Sequence, residues 1–164
     1  MMFEAAAITA TDPEALYAEL ARQAEGLLAG ERDWIANAAN LASLIFTSLP
    51  DLNWAGFYFL KGDTLVLGPF QGKPACVRIA MGRGVCGAAA QQRRTLRVED
   101  VNGFPDHIAC DLASRSELVV PLIGGAKVLG VLDLDSPKPS RFGQADQAGL
   151  ERLAAIFLKA SDPP

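Results

Sequence analysis

The side chains best equipped for chemistry are three thiols, Cys76, Cys86 and Cys110, and the single histidine, His107. The chain opens Met1-Met2-Phe3-Glu4 with no basic segment leading into an apolar one, which reads as a cytoplasmic protein whose thiols are kept reduced. Thiols in that setting pack as small hydrophobes, act as nucleophiles or ligate metals, and permanent disulfides come last. Cys110 has the strongest case for reactivity. Pro105-Asp106 reads as a helix start with His107, Ile108, Ala109 and Cys110 in its first turn, so a helix N-terminus and His107 would both favour the thiolate, with Asp111 opposing them. Cys76 follows Pro74-Ala75 beside a glycine-rich segment, where exposure and movement are expected, and its functional and structural readings balance. Cys86 lies among glycines and alanines and reads as a core residue.

Other uses of this set are weaker. A zinc site built from Cys76, Cys86, Cys110 and His107 lacks the short paired spacings of structural sites. A cysteine hydrolase with His107 as base is disfavoured because groups three apart on one helical turn rarely give an aligned pair with a third orienting group. His107 therefore reads first as a surface residue. The run Gly82-Arg83-Gly84-Val85-Cys86-Gly87 matches neither the Walker nor the dinucleotide spacing.

A second set of reactive groups lies on two strands expected at 116–123 and 127–135. With a three-residue loop, Gly124-Gly125-Ala126, Glu117 falls opposite Asp133, and Asp135 shares their face because side chains alternate along a strand. Opposed like charges framed by Leu118, Val119, Val131 and Leu132 destabilise the pair unless a proton or cation compensates them. Such groupings concentrate where ligands bind or chemistry occurs, so Glu117 and Asp133 read as a site. Asp135, beside Ser136-Pro137, reads equally as a solvated strand end. A two-residue loop would shift the register and weaken this expectation.

These groups need a scaffold, and hydrophobic periodicity outlines one. Asp12 and Pro13 cap and start a helix carrying Leu16, Tyr17, Leu20, Ala24, Leu27 and Leu28 on one face, ended by Gly30. A second helix from about Glu31 places Ile35, Ala38, Ala42, Ile45 and Leu49 on a stripe, with Asn37 and Asn40 off it, until Pro50. Trp54, Phe57, Tyr58 and Phe59 then open a hairpin that turns at Lys61-Gly62-Asp63-Thr64. Further strands are expected at 75–80 and 95–98, a short helix between them, and an amphipathic helix at the C-terminal end. The chain thus divides into helices at 12–49, sheet and site at 53–136, and a helix at 144–160, all within one domain. With 164 residues, half of them hydrophobic, a single core is expected. No apolar run approaches membrane-spanning length, and a net charge of −4 with scattered basic residues argues against nucleic acid as a ligand.

The segments Asn53-Trp54-Ala55-Gly56-Phe57-Tyr58, Pro69-Phe70-Gln71-Gly72-Lys73-Pro74-Ala75-Cys76, Gly84-Val85-Cys86-Gly87, His107-Ile108-Ala109-Cys110-Asp111, Ser114-Arg115-Ser116-Glu117 and Gly130-Val131-Leu132-Asp133-Leu134-Asp135-Ser136 together resemble the free methionine-(R)-sulfoxide reductases, GAF-domain enzymes. The resemblance spans nearly the whole chain, and all three cysteines in their places make it specific. It implies an α+β fold with a central antiparallel sheet of about six strands, the first two helices and the last on one face and the site under loops on the other. It implies reduction of free methionine-(R)-sulfoxide without cofactor or metal, with thioredoxin as reductant. By the same resemblance Cys110 attacks the sulfoxide, Cys76 is the usual resolving partner, and Cys86 is a third cysteine able to replace either. Glu117, Asp133 and Asp135 match acidic substrate-binding positions, Glu117 being the candidate proton donor, and Trp54 and Tyr58 match the pocket's aromatic walls. The alternative is a non-enzymatic GAF module that senses a small ligand; a homodimer is compatible with either.

Overall fold

Asp12 and Pro13 start helix α1 (Pro13–Leu27): the Asp12 carboxylate accepts the backbone N–H of Ala15 at 3.0 Å, and proline takes a first-turn position where no N–H is needed. The computed structural model describes residues 2–108 and 110–164. Helix α2 (Trp34–Ser48) starts three residues later than Glu31, because Asp33 is the cap and Glu31 instead accepts the N–H groups of Arg32 and Asp33. Ala38, Ala42, Ile45 and Leu49 of the expected stripe are buried, joined by Trp34, Asn37 and Leu41. Ile35, expected on it, is 54% exposed, and Asn37, expected off it, is buried with its amide donating to Ser161 Oγ and the Glu31 carbonyl.

The sheet contains β1 (Trp54–Lys61), β2 (Thr64–Gly72), β3 (Arg78–Ala80), β4 (Leu96–Val98), β5 (Ser116–Gly124) and β6 (Lys127–Ser136), all antiparallel, in the order β3-β2-β1-β6-β5-β4. The expected architecture is found. Alternation divides each strand between two cores: Phe57, Phe59, Leu118, Leu132 and Leu134 pack under α1, α2 and α4 (Gln144–Ala160), while Tyr58, Val119 and Val131 face α3 (Gly84–Gln92) and the loops. Under α4, the Tyr17 hydroxyl donates to Asp146, which also receives Arg141 and the N–H of Gly143, so a polar knot ties α1 to the start of α4. No described helix is long and apolar enough to cross a membrane.

The β5–β6 hairpin corrects an expectation and explains why the acids still converge. Its loop has two residues, with Gly124 paired to Lys127 and Ile123 to Val128, but a bulge follows and Leu122 pairs with Gly130. One residue lost in the turn and one inserted at Leu129 move the register by two. Glu117 therefore lies opposite Asp135, not Asp133, and Asp133 lies opposite Val119. A two-residue shift preserves the faces, so all three carboxylates stay on one side.

Gly130 sits where the bulge ends, paired with Phe59 of β1. A Cβ there would collide with the Tyr58 carbonyl oxygen and the Phe59 backbone. Gly130→Ala is therefore expected to lower unfolding stability in urea by about 1–3 kcal/mol, the usual range for overpacking. A midpoint equal to wild type would show that β1 and β6 separate freely.

Candidate active site

Two loops and helix α3 roof the face of the sheet opposite α1, α2 and α4. A pocket beneath them is lined by Trp54 and Tyr58 from β1, Cys86 from α3, Glu117 from β5, Asp133 and Asp135 from β6, and His107 and Cys110 from the loop before β5. Seven of the eight residues singled out from the sequence border this pocket. The eighth, Cys76, is joined to Cys110 by a disulfide, with Cα atoms 5.6 Å apart.

The aromatic side chains hold the roof as well as walling the pocket. Tyr58 donates its hydroxyl to the Cys76 carbonyl at 2.8 Å, and Trp54 donates its indole N–H to the Lys73 carbonyl at 3.2 Å. The indole also stacks on Phe70, centroids 5.2 Å apart. Strand β3 begins at Arg78, shorter than the 75–80 expected, so Cys76 belongs to a loop anchored by these two bonds. On the other side, the Asn53 amide donates to Asp111 Oδ2 at 3.1 Å and to Ser114 Oγ at 3.0 Å, pinning the segment that follows Cys110. Asn53 and Ser114 were not singled out for this role; nothing in their local pattern distinguishes them, because their partners are about sixty residues apart in the chain.

The helix expected to start at Pro105-Asp106 does not form. Asp106 has φ +56°, whereas a capping residue needs extended backbone, and His107 closes a turn by donating its N–H to the Phe104 carbonyl. Ala109, part of that expected first turn, lies outside the described residues. Cys110 thus has no helix N-terminus to favour its thiolate; the cations lining the pocket are Lys73 and Arg83. Asp111, the neighbour expected to oppose a thiolate, keeps a carboxyl pKa below its ordinary value because the Ala113 N–H donates to it.

The floor is acidic and largely buried. Glu117 and Asp133 are each 5% exposed, and burial pushes the carboxyl pKa of Glu117, Asp133 and Asp135 upward. For Glu117 and Asp135 the charge of Asp133 adds to that shift. Cys86, buried as expected, directs its thiol to Glu117 Oε1 at 3.8 Å, and burial raises its pKa first, the neighbouring carboxylates next. Asp133 Oδ1 is buried with no hydrogen-bond partner. An orphaned carboxylate oxygen facing a pocket is an unmet demand for a donor. Cys86 Sγ and carboxylate oxygens of Glu117 and Asp133 lie within 4.8 Å of one another, close enough to share one cation. The set first weighed for zinc is excluded in this state, since Cys76 and Cys110 are bonded to each other.

A model of the GAF domain matches residues 12–159. The free methionine-R-sulfoxide reductase of Escherichia coli (strain K12) is 53% identical over 143 residues, 87% of this chain and 87% of that protein. The chain belongs to the free methionine-R-sulfoxide reductases of the GAF-domain family. The reductase of Saccharomyces cerevisiae is 45% identical over 155 residues, 90% of this chain and 86% of that protein. The solved structure of the Neisseria meningitidis free methionine-R-sulfoxide reductase in complex with its substrate superposes with a TM-score of 0.93 at 45% identity, covering 97% of this chain and 95% of that one. As a member of this family the chain is an oxidoreductase.

One pocket residue departs from its sequence reading. His107, read first as a surface side chain, borders the pocket with its side chain only 16% exposed and Nε2 3.8 Å from Glu117 Oε2. Burial lowers its pKa and favours the neutral ring.

Proposed function

We propose that this chain reduces free methionine-(R)-sulfoxide to methionine, with Cys110 as the attacking sulfur. The observation that carries the reading is a disulfide-linked cysteine bordering a pocket floored by buried, proton-holding carboxylates. A sulfoxide sulfur accepts a thiolate when its oxygen is protonated, and a carboxyl group whose pKa is raised keeps its proton near neutral pH to donate it. Glu117 fills that role. The substrate's ammonium supplies the donor that Asp133 Oδ1 lacks, with Asp135 beside it on the pocket, which favours the free amino acid. Trp54 packs against the S-methyl group and Tyr58 closes the wall beside it.

The step balances. The Cys110 sulfur gives two electrons to the substrate sulfur, the S–O bond breaks, and the oxygen passes to Cys110 as a sulfenic acid while methionine leaves. The Cys76 thiol attacks that sulfur, expelling the oxygen as water and forming the Cys76–Cys110 bond. Cys86, with its thiol aimed at Glu117, serves as the third thiol able to stand in for either partner. A protein dithiol of the thioredoxin class then reopens the bridge. A ligand sensor would use the same pocket and acids, but would need no thiols joined at its border.

The reading is tested by incubating reduced protein with each epimer of free methionine sulfoxide, with and without dithiothreitol. Methionine should form from the R epimer alone. Without added thiol, release should stop after about one equivalent per chain, and peptide mapping should find Cys76 joined to Cys110. No release, or equal release from both epimers, defeats it.

A further inference from the structure

We propose that His107 carries a proton from the Cys110 thiol to Glu117 during sulfoxide reduction, an inference that rests on the reading above. Taken together, a thiol and a sulfoxide give a sulfenic acid and a sulfide with no net uptake or release of protons. Within the step, however, two protons move. The Cys110 thiol must lose one to become the attacking thiolate, and Glu117 must give one to the departing oxygen. The site is left with a surplus proton at the sulfur and a vacancy on a carboxylate that is 5% exposed.

His107 joins these two places. It stands three residues before Cys110 and lines the same pocket, and its Nε2 lies 3.8 Å from Glu117 Oε2. That separation is longer than a hydrogen bond, as expected for a catalytic contact before substrate fills the site. It is the single histidine of the chain, so no other imidazole competes for the task. The remaining neighbours of Glu117 are otherwise engaged: Asp133 and Asp135 receive the substrate's ammonium in the reading above, and the Cys86 thiol is buried with its pKa shifted upward.

The charges around the ring allow it to cycle. Burial favours the neutral imidazole, the form able to take the thiol proton. Once charged, the ring faces Glu117, with Asp111, Asp133, Asp135, Lys73 and Arg83 also lining the pocket, and this closest partner takes the proton onward. The thiol proton thus passes to the imidazole and then to the Glu117 carboxylate, while the proton first held by Glu117 leaves on oxygen. Glu117 ends each reduction re-protonated. In taking the thiol proton His107 acts directly on a reacting atom, so it is a catalytic residue, with no contact to substrate required.

The experiment uses fully reduced protein and single-turnover methionine release. His107→Gln should lower that rate by about 10²–10⁴-fold, the span of general acid–base catalysis, with substrate affinity held within about threefold. His107→Ala, which opens a ring-sized space at the pocket, should recover rate in a saturable way when imidazole is added, and recovery should follow the free-base fraction of the imidazole as pH changes. Wild type should not respond. A rate within threefold of wild type in both variants overturns the relay, as does a loss in folded His107→Ala that imidazole leaves unchanged. If His107→Ala does not fold, the pH profile of His107→Gln decides: the limb present in wild type must shift toward that of an ordinary thiol, and an unchanged profile overturns the proposal. Wild type that releases no methionine would defeat the reductase reading itself, whereas active wild type with unaffected variants defeats only the relay.

Discussion

Cys110→Ser is expected to abolish methionine release, a fall of roughly 10⁴-fold or more, in line with enzymes stripped of their nucleophile. Serine keeps the shape of the side chain but not the polarisable sulfur that donates the electron pair, and no other thiol borders the substrate with comparable access. Cys110 is exposed and Cys76 half-buried, while Cys86 is buried on the inner side of helix α3. Substrate affinity should change little, because the ammonium and methyl subsites proposed above involve Asp133, Asp135 and Trp54 and not Cys110. Cys76→Ser should behave differently: the first equivalent of methionine still forms, and a sulfenic acid on Cys110 becomes trappable by a carbon nucleophile. Measuring both variants by single turnover and mass spectrometry separates attack from resolution. Full turnover by Cys110→Ser would remove the sulfur from its assigned role.

Glu117→Gln is expected to lower the single-turnover rate by about 10²–10³-fold with a much smaller change in affinity, since the donated proton matters chiefly in the transition state. The same substitution should stabilise the fold in alkaline solution. The folded-state carboxyl pKa of Glu117 is raised above its unfolded value, so the stabilisation of the neutral acid is complete below the unfolded pKa, about 4.3, and is lost as pH rises through the folded value. Glutamine has no proton to lose. The variant should therefore gain on wild type in urea unfolding as pH rises from about 4.3 towards the raised folded-state value. Parallel stability curves over that window would mean that Glu117 meets water more freely than its burial indicates. A side chain whose removal raises stability and lowers rate is held in place for chemistry.

Much of this site was readable along the chain because its signals are local. A capping pair, a glycine turn and strand alternation each span a few residues, and they located α1, the β1–β2 hairpin and the acidic strands. The carboxylates were placed on one face by parity, although the assumed loop length was wrong. Had the turn been shortened without the bulge at Leu129, Asp133 and Asp135 would have pointed into the core under the helices. Helix α2 shows the limit of the same reasoning: the start expected near Glu31 falls at the Asp33 cap instead, and of the expected faces Ile35 is exposed and Asn37 buried, while Ala38, Ala42, Ile45 and Leu49 keep their place.

Residue types and periodicity, then, settled which groups could react and which strands carry them, because protonation, nucleophilicity and side-chain alternation are properties of short segments. Which groups meet was decided by folding. The helix start read at Pro105-Asp106 does not form in the segment before β5, and Cys110 to Ser114 are held instead by Asn53 reaching Asp111 and Ser114 and by the disulfide to Cys76. Placing that segment brought His107 to within 3.8 Å of Glu117, while Tyr58 held the opposite loop through the Cys76 carbonyl. Contacts between residues distant in the chain leave no periodic trace in it; they exist only once the sheet has brought their anchors together.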